Sequence, residues 1–468
     1  MNKQKCDILI KNCILMTEEY DFLEDMAIAI DDGRIIAIGK DLPHQFEAKD
    51  CVEATNKLAM PGLIDGHTHL SQQLLRGMIS DEYPIIYRRF NLPLESKLSQ
   101  EDVELSVKLG CLEMIRSGTT AFADAGSTYM EQFVSAVEES GLRGTVTRAT
   151  SDKGDTLPSN MIDSTKDGIK KSEEFFKTYN NRGNGRIKAW FQFRTIASCS
   201  DELIVGLSDL ARQYSTGIHT HISEYSESVL YTLRAYQMRE IEYLDHLNVM
   251  GENLLAAHCL LISENDIAIL AKSKTKVVHC PRSNLGKVVS KTPALLSNGV
   301  SVGLGTDGTA HSGLSIFREM TAFRHSQIVT NGVPYLDYNV MNSKRLIELA
   351  TMGSARALLQ DHEIGSLRVG KKADIILVDL AKPHITPTHN LLNTLTESVG
   401  TGDISDMIVD GQILMRNYEI KTLDEEKILY EAGQVIRRIN QINGWTPKSL
   451  IGLKKTQEPR EATYSHGS

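Results

Sequence analysis

Two histidines separated by one residue, His67 and His69 in PGLIDGHTHL, are the strongest local chemical signal in the chain. A strand alternates its faces, so residues two apart point to the same side and can grip one ion between them. His221 in HTHISE, His258 in AAHC and Asp307 in GLGTDG each stand at the end of a short apolar run. Imidazole nitrogen and carboxylate oxygen both suit a borderline cation such as Zn²⁺ at about 2.0–2.1 Å. His67, His69, His221 and Asp307 thus offer four protein ligands and leave another position for water, as a catalytic metal site requires. Glu224 follows His221 by three residues, one turn past the strand end, where a carboxylate can meet that water. A solvated acid in a helix's first turn is the competing reading. His258 lies among apolar neighbours, where an imidazole is costly to bury without a partner, so it is expected in the site. His219 shares strand parity with His221 and is read as packing rather than ligating.

These residues need a scaffold that brings distant strand ends together. Apolar runs at 60–67, 119–125, 143–149, 187–193, 217–223, 254–259, 276–280 and 300–307 read as eight strands, with amphipathic stretches between them. That pattern predicts an α/β protein built on a (β/α)₈ barrel, whose catalytic groups sit at the C-terminal ends of the strands. The barrel is expected over residues 58–364. Residues 1–57 and 365–440 share short alternating strands, with a hairpin signal at Asp32-Gly33, and are expected to build one small β-sandwich domain together. Residues 441–468 form a polar extension whose tail is expected to be disordered. Two phosphate-loop matches are discounted. GLGTDG carries Asp307 where a pyrophosphate would lie, and GSLRVGKK (365–372) lacks the hydroxyl after its lysines and reads as a hairpin.

Composition narrows the partners. The 468 residues include 51 Lys plus Arg against 60 Asp plus Glu, a formal charge of −9. Such a surface repels phosphate backbones and anionic lipid, so neither nucleic acid nor membrane is expected as a partner. Seven cysteines without a CxxC pair read as reduced thiols, and no signal peptide or membrane span is evident, which predicts a cytoplasmic protein.

Taken together, PGLIDGHTHL, RSGTT, HTHISE, AAHC, HCPRSNL, GLGTDG and the closing ATMGSARALL and IGSLRVGKKADIILVDL resemble the amidohydrolase superfamily. Within it they resemble the metal-dependent aminohydrolases, which include guanine deaminase, S-adenosylhomocysteine/methylthioadenosine deaminase and triazine hydrolases. The resemblance implies one divalent ion, Zn²⁺ first, with Fe²⁺ and Mn²⁺ as alternatives. The fourth strand ends Phe193-Arg194, with no lysine to bridge a second metal. It implies His67, His69, His221 and Asp307 as ligands, Glu224 as proton shuttle, His258 as the residue orienting water or substrate, and Asp307 as a further proton acceptor. Hydroxide would add to an amino-bearing ring carbon, and ammonia would leave.

Gln72 and Arg194 match positions that guanine deaminases use, and Glu95 matches the residue that holds ribose hydroxyls in nucleoside-type members. His279, Asn284 and His311 complete the expected substrate contacts. Thr195, Asn91-Leu92 and the loop carrying His311 depart from the guanine deaminase pattern. The leading reading is a deaminase of an oxo-amino heterocycle, a guanine-like purine or a pterin. A nucleoside deaminase of the S-adenosylhomocysteine/methylthioadenosine type and a triazine-type hydrolase expelling another group are the alternatives. A non-catalytic scaffold is the last, opposed by the intact ligand set. A homodimer or higher homo-oligomer is expected.

Overall fold

Alternating apolar residues in the first 61 positions make five strands, β1 (Gln4–Met16), β2 (Phe22–Asp31), β3 (Arg34–Gly39), β4 (Phe46–Glu53) and β5 (Lys57–Pro61). The computed structural model describes residues 3–79, 86–154, 157–308 and 313–443. Asp32 and Gly33 both take left-handed backbone (φ 46° and 71°), the hairpin geometry that matches strand twist. Only Gly62 separates β5 from the first barrel strand, β6 (Leu63–His69).

The barrel continues through β7 (Thr119–Asp124), β8 (Arg143–Thr147), β9 (Ile187–Gln192), β10 (Ile218–Ile222), β11 (Leu254–His258) and β12 (Lys276–His279). Its eighth strand is broken into β13 (Val302–Leu304) and β14 (Asp307–Gly308). β13 pairs with β12, and β14 pairs with β6 through Asp307↔Thr68, so the parallel sheet closes on itself. All eight expected strands are present. Every residue of β6, β7, β8, β10 and β11 is buried, as expected of parallel strands enclosed on both faces.

Amphipathic helices cover the outside, and their starts follow capping chemistry. Ser99 and Asp102 form a capping box for helix Gln100–Ser117, and Ser164, Ser200 and Ser263 cap Thr165–Tyr179, Asp201–Gln213 and Glu264–Ser273. The stretch after His221, expected as one amphipathic run, breaks at Gln237 (φ 58°) into helices Ser226–Tyr236 and Glu240–His246, which lets Glu240 turn inward.

After the barrel, β15 (Ile375–Asp379), β16 (Ile404–Val409), β17 (Gln412–Arg416) and β18 (Glu419–Ile420) return to the strands of the N-terminus. β5 joins the two ends, running parallel to β1 and antiparallel to β15. The expected sandwich is one hydrogen-bonded sheet, curled around Ile10, Ile28, Ile30, Ile375 and Leu377 until its two hairpin tips meet. A Cβ on Gly33 would fall 2.8 Å from the Asp410 carbonyl oxygen, so that contact admits only glycine. Residues 365–372 make turns instead of the expected hairpin, because their backbone pairs with Arg34 and Ile35 of β3, and the buried Lys371 ammonium donates to the Asp361 and Ile364 carbonyls (2.8 and 3.0 Å). Helix Glu425–Asn443 packs back on Gln100–Ser117, with Arg438 bound to Asp102 and Arg116 to Glu425. The tail expected to be disordered lies outside the described residues. All seven cysteines are free thiols, and six are buried. No described helix is long and apolar enough to cross a membrane.

Arg143, buried at the first position of β8, ties the barrel floor to the end sheet. Its Nε and Nη2 donate to Asp374 at 2.8 and 3.0 Å, and Asp374 also accepts from the Asp410 amide. Removing one partner of a buried pair leaves an uncompensated charge and costs about 3–5 kcal/mol. Arg143→Met should therefore lower unfolding free energy by about that amount in a denaturant titration. A loss below about 1 kcal/mol, the scale of an exposed pair, would contradict this reading.

Candidate active site

The barrel's C-terminal mouth gathers the side chains singled out by type and spacing. His67 and His69 come from the end of β6, His221 from β10, His258 from β11 and Asp307 from β14, with Glu224 one turn past β10. His69 Nε2 lies 3.2 Å from His221 Nε2 and 3.4 Å from Asp307 Oδ1, and His67 Nε2 lies 3.6 Å from the same oxygen. Four donors about 2.0–2.1 Å from one ion stand about 3.3–3.4 Å apart in a tetrahedron, so these spacings fit a metal. His67 Nε2 is buried with no hydrogen-bond partner, another sign that a cation belongs there.

Hydrogen bonds behind the rings separate ligands from neighbours. His221 Nδ1 donates to the Arg194 carbonyl (3.1 Å), leaving the Nε2 lone pair facing the cluster. His67 Nδ1 pairs with His219 Nε2 (2.8 Å); with His67 as donor, its own Nε2 lone pair also faces inward. His258 is the reverse case. The Asn284 amide, oriented so that its oxygen accepts from the Cys280 N–H (3.1 Å), donates its nitrogen to His258 Nδ1 (3.1 Å). His258 Nε2 then carries the proton and points at Glu224 Oε2 (3.7 Å) and Asp307 Oδ2 (4.0 Å) as a donor.

Charge follows burial. Burial takes the His67 pKa down to about 4, and burial with neighbouring imidazoles takes His221 well below its ordinary value. Burial alone would raise Asp307, but His258, His67, His69 and Lys287 hold it well below the carboxylate range. Glu224 is lowered in the same way, with His258 and Lys287 outweighing its burial. Burial would lower His69 too, but the Asp307 carboxylate holds it above its ordinary value, a proton that a divalent cation would displace on binding. Ser223, His258 and Asp307 all hold left-handed backbone (φ 52°, 75° and 62°), conformations that cost energy and persist where packing enforces them.

A cavity of about 1050 Å³, its open mouth included, lies in front of the cluster and is lined by His69, Gln72, His221, Glu224 and Asp307. Tyr87, Asn91, Tyr225 and Glu240 complete its polar wall. Glu95 stands behind Gln72, which donates to its Oε1, and Arg194 Nη2 binds its other oxygen at 3.2 Å. Arg194 borders a neighbouring cavity of about 500 Å³. His279 and Asn284, expected at the substrate, lie behind His258 instead. His279 Nδ1 donates to the His258 carbonyl (2.7 Å) from β12, the strand paired beside β11, and Asn284 in the turn that follows holds the ring. His311 lies outside the described residues. Sequence reasoning passed over Ser283 and Lys287, although both stand within HCPRSNLGK, and Glu240, which no motif marks.

The model of the amidohydrolase family matches residues 58–414. The chain belongs to the amidohydrolase family. The 5-methylthioadenosine/S-adenosylhomocysteine deaminase of Thermoanaerobacter pseudethanolicus is 34% identical to this amidohydrolase over 93% of its chain and 100% of the relative. The 5′-deoxyadenosine deaminase of Methanosarcina mazei is 33% identical over 93% and 99%. Among solved structures, a zinc-bound adenosine deaminase from Xanthomonas campestris superposes with a TM-score of 0.87 at 27% identity, covering 94% of this chain and 100% of that one. This amidohydrolase is thus an enzyme, a metal-dependent hydrolase of carbon–nitrogen bonds of the deaminase kind.

Two outcomes check the site. Asp307→Asn and His221→Ala should weaken Zn²⁺ binding in equilibrium dialysis by more than the ~10–100-fold typical of losing a group behind a ligand. His258→Asn should leave binding within that range, and equal losses in all three would overturn the division between ligands and donor. Separately, burial raises Glu240 from 4.5 to about 7 against bonds from Ser223 and Ser228. The folded state therefore holds an extra proton across that window, and the associated stability is full below its lower edge and lost as pH rises through its upper edge. Glu240→Gln should gain thermal stability over the parent at pH about 8 and not at pH about 5. An equal difference at both would contradict the assignment.

Proposed function

We propose that this amidohydrolase is a zinc-dependent deaminase of 5′-substituted adenosines. Full-length relatedness to deaminases of 5-methylthioadenosine, S-adenosylhomocysteine and 5′-deoxyadenosine carries the reading. It takes precedence over the guanine-like preference expected from Arg194. That side chain is buried and ion-paired with Glu95, so part of its fork is already engaged. The seven free thiols suit a reducing, cytoplasmic setting.

His67, His69, His221 and Asp307 would hold the ion. When bound, zinc supplies Lewis-acid polarisation and makes the attacking water acidic near neutral pH. Glu224 accepts one proton of that water as its oxygen bonds to the amino-bearing carbon of the adenine ring, and passes the proton to the adjacent ring nitrogen. The His258 Nε2–H donates to the same oxygen as negative charge develops on it. Asp307 receives the second proton and delivers it to the amino group. The carbon–nitrogen bond then breaks, ammonia leaves, and the ring carbon keeps the oxygen as a carbonyl. Gln72 and Asn91 are placed to orient the ring, with Glu95 bracing Gln72 from behind.

A second reading, deamination of a free oxo-amino base, is favoured by one observation: Arg194 Nε is buried without a hydrogen-bond partner and could meet a ring carbonyl. Ammonia release from 5-methylthioadenosine, 5′-deoxyadenosine, S-adenosylhomocysteine, guanine, a pterin and a chlorotriazine separates the two. Adenosine-type substrates should exceed guanine in kcat/KM by at least ~10-fold, about 1.4 kcal/mol of differential transition-state binding. Preference for guanine or the pterin would favour the second reading, and halide release would sink both. Glu224→Gln should lower kcat by ~10²–10⁴-fold, the usual worth of an acid–base group.

A further inference from the structure

We propose that Lys287 is a positioning residue that clamps Glu224 to the ligand carboxylate Asp307. It rests on the reading of Glu224 as the group that moves the proton. The Lys287 side chain is only 6% exposed, and its Nζ donates to Glu224 Oε1 at 2.5 Å and to Ser283 Oγ at 3.1 Å. Ser283 Oγ in turn donates to Asp307 Oδ2 at 2.5 Å, and Lys287 Nζ lies 3.8 Å from that oxygen. The ammonium also sits over the Tyr225 ring, 4.8 Å from its centre. Lysine and serine thus make a buried bridge from one carboxylate to the other, carried by the single turn that follows β12.

The consequence is geometric. A glutamate side chain beyond a strand end has several rotamers, and proton transfer needs one of them. With Oε1 anchored by Lys287, the free oxygen Oε2 is presented to the cluster, facing the His258 Nε2–H at 3.7 Å. Asn284 fixes His258 from the same turn that carries Ser283 and Lys287. One segment, residues 281–287, therefore sets both groups that surround the reacting oxygen.

The test uses zinc-loaded protein carrying Lys287→Met, Lys287→Arg, Glu224→Gln and the Lys287→Met/Glu224→Gln pair. Lys287→Met should lower kcat at least ~10²-fold with KM within ~3-fold and zinc stoichiometry unchanged, and Lys287→Arg should recover part of the loss. In the Glu224→Gln background, adding Lys287→Met should change kcat by less than ~3-fold, because both act through one group. Multiplicative losses, or Lys287→Met retaining more than half the parental kcat, would overturn the proposal. Thermal midpoints of the metal-free and loaded variants decide it independently of substrate: the double variant should lose less than the sum of the singles. If no panel substrate is turned over, the functional reading fails; additive thermal losses would instead remove the clamp. If Lys287→Met does not fold, Lys287→Gln takes its place in the cycle.

Discussion

The site depends on one closure. Asp65, fully buried in β6, accepts from the Thr306 amide at 3.0 Å, from Thr306 Oγ1 at 2.5 Å and from the His67 amide at 3.2 Å. These bonds lace the first barrel strand to the last across 241 residues of sequence. They also explain the break in the eighth strand. At that break the Thr306 amide is shared between the His67 carbonyl (3.0 Å) and Asp65, and Asp307, in left-handed backbone, pairs with Thr68. The Asp307 carboxylate thereby arrives beside His67 and His69. Burial pushes Asp65 up to about 7, against the bonds that favour its charge, so the closure is bought with an ionisable group held in a dry interior.

Around that closure, the mouth of the barrel is a problem in charge. Five imidazoles, His67, His69, His219, His221 and His258, pack ring against ring within about 5 to 6 Å, as the centroid separations of 4.8 to 5.6 Å record. Protonating many of them together in a dry cavity is costly, so neutral rings and hydrogen-bonded tautomers are the stable arrangement. Lone pairs then converge on one point, and the cluster is electrostatically incomplete without a cation. The same backing hydrogen bonds that select tautomers orient the rings, which is why Arg194 matters as a carbonyl as well as a guanidinium.

Much of this was legible in the residue string because the candidate site residues stand at the ends of apolar runs. HxH on one strand face, HTHISE, AAHC and GLGTD mark four strand ends, and a barrel sends all of them to one mouth. The eight strands and most outer helices follow from the same alternation. What escaped depends on contacts that no local pattern encodes. Glu240 becomes part of the site because a helix breaks at Gln237, and nothing near residue 240 announces it. His279 and Asn284 are in a motif with ligand-type chemistry, yet they contact the back of His258, from the neighbouring strand and the turn after it. Lys287 gains its meaning from Glu224, 63 positions earlier. Substrate preference depends on a contact of the same kind. Arg194 matches a position that guanine deaminases use, and in the fold its guanidinium is shared with Glu95, 99 positions away.

The division of labour among the histidines is the central physical claim, and X-ray absorption at the zinc edge of the metal-loaded protein measures it directly. Three imidazole nitrogens and oxygen donors, with no sulfur, is the coordination that His67, His69, His221 and Asp307 should give, and His258→Asn should leave the imidazole count unchanged. A fourth imidazole that disappears in His258→Asn, or a sulfur ligand at about 2.3 Å, would contradict it.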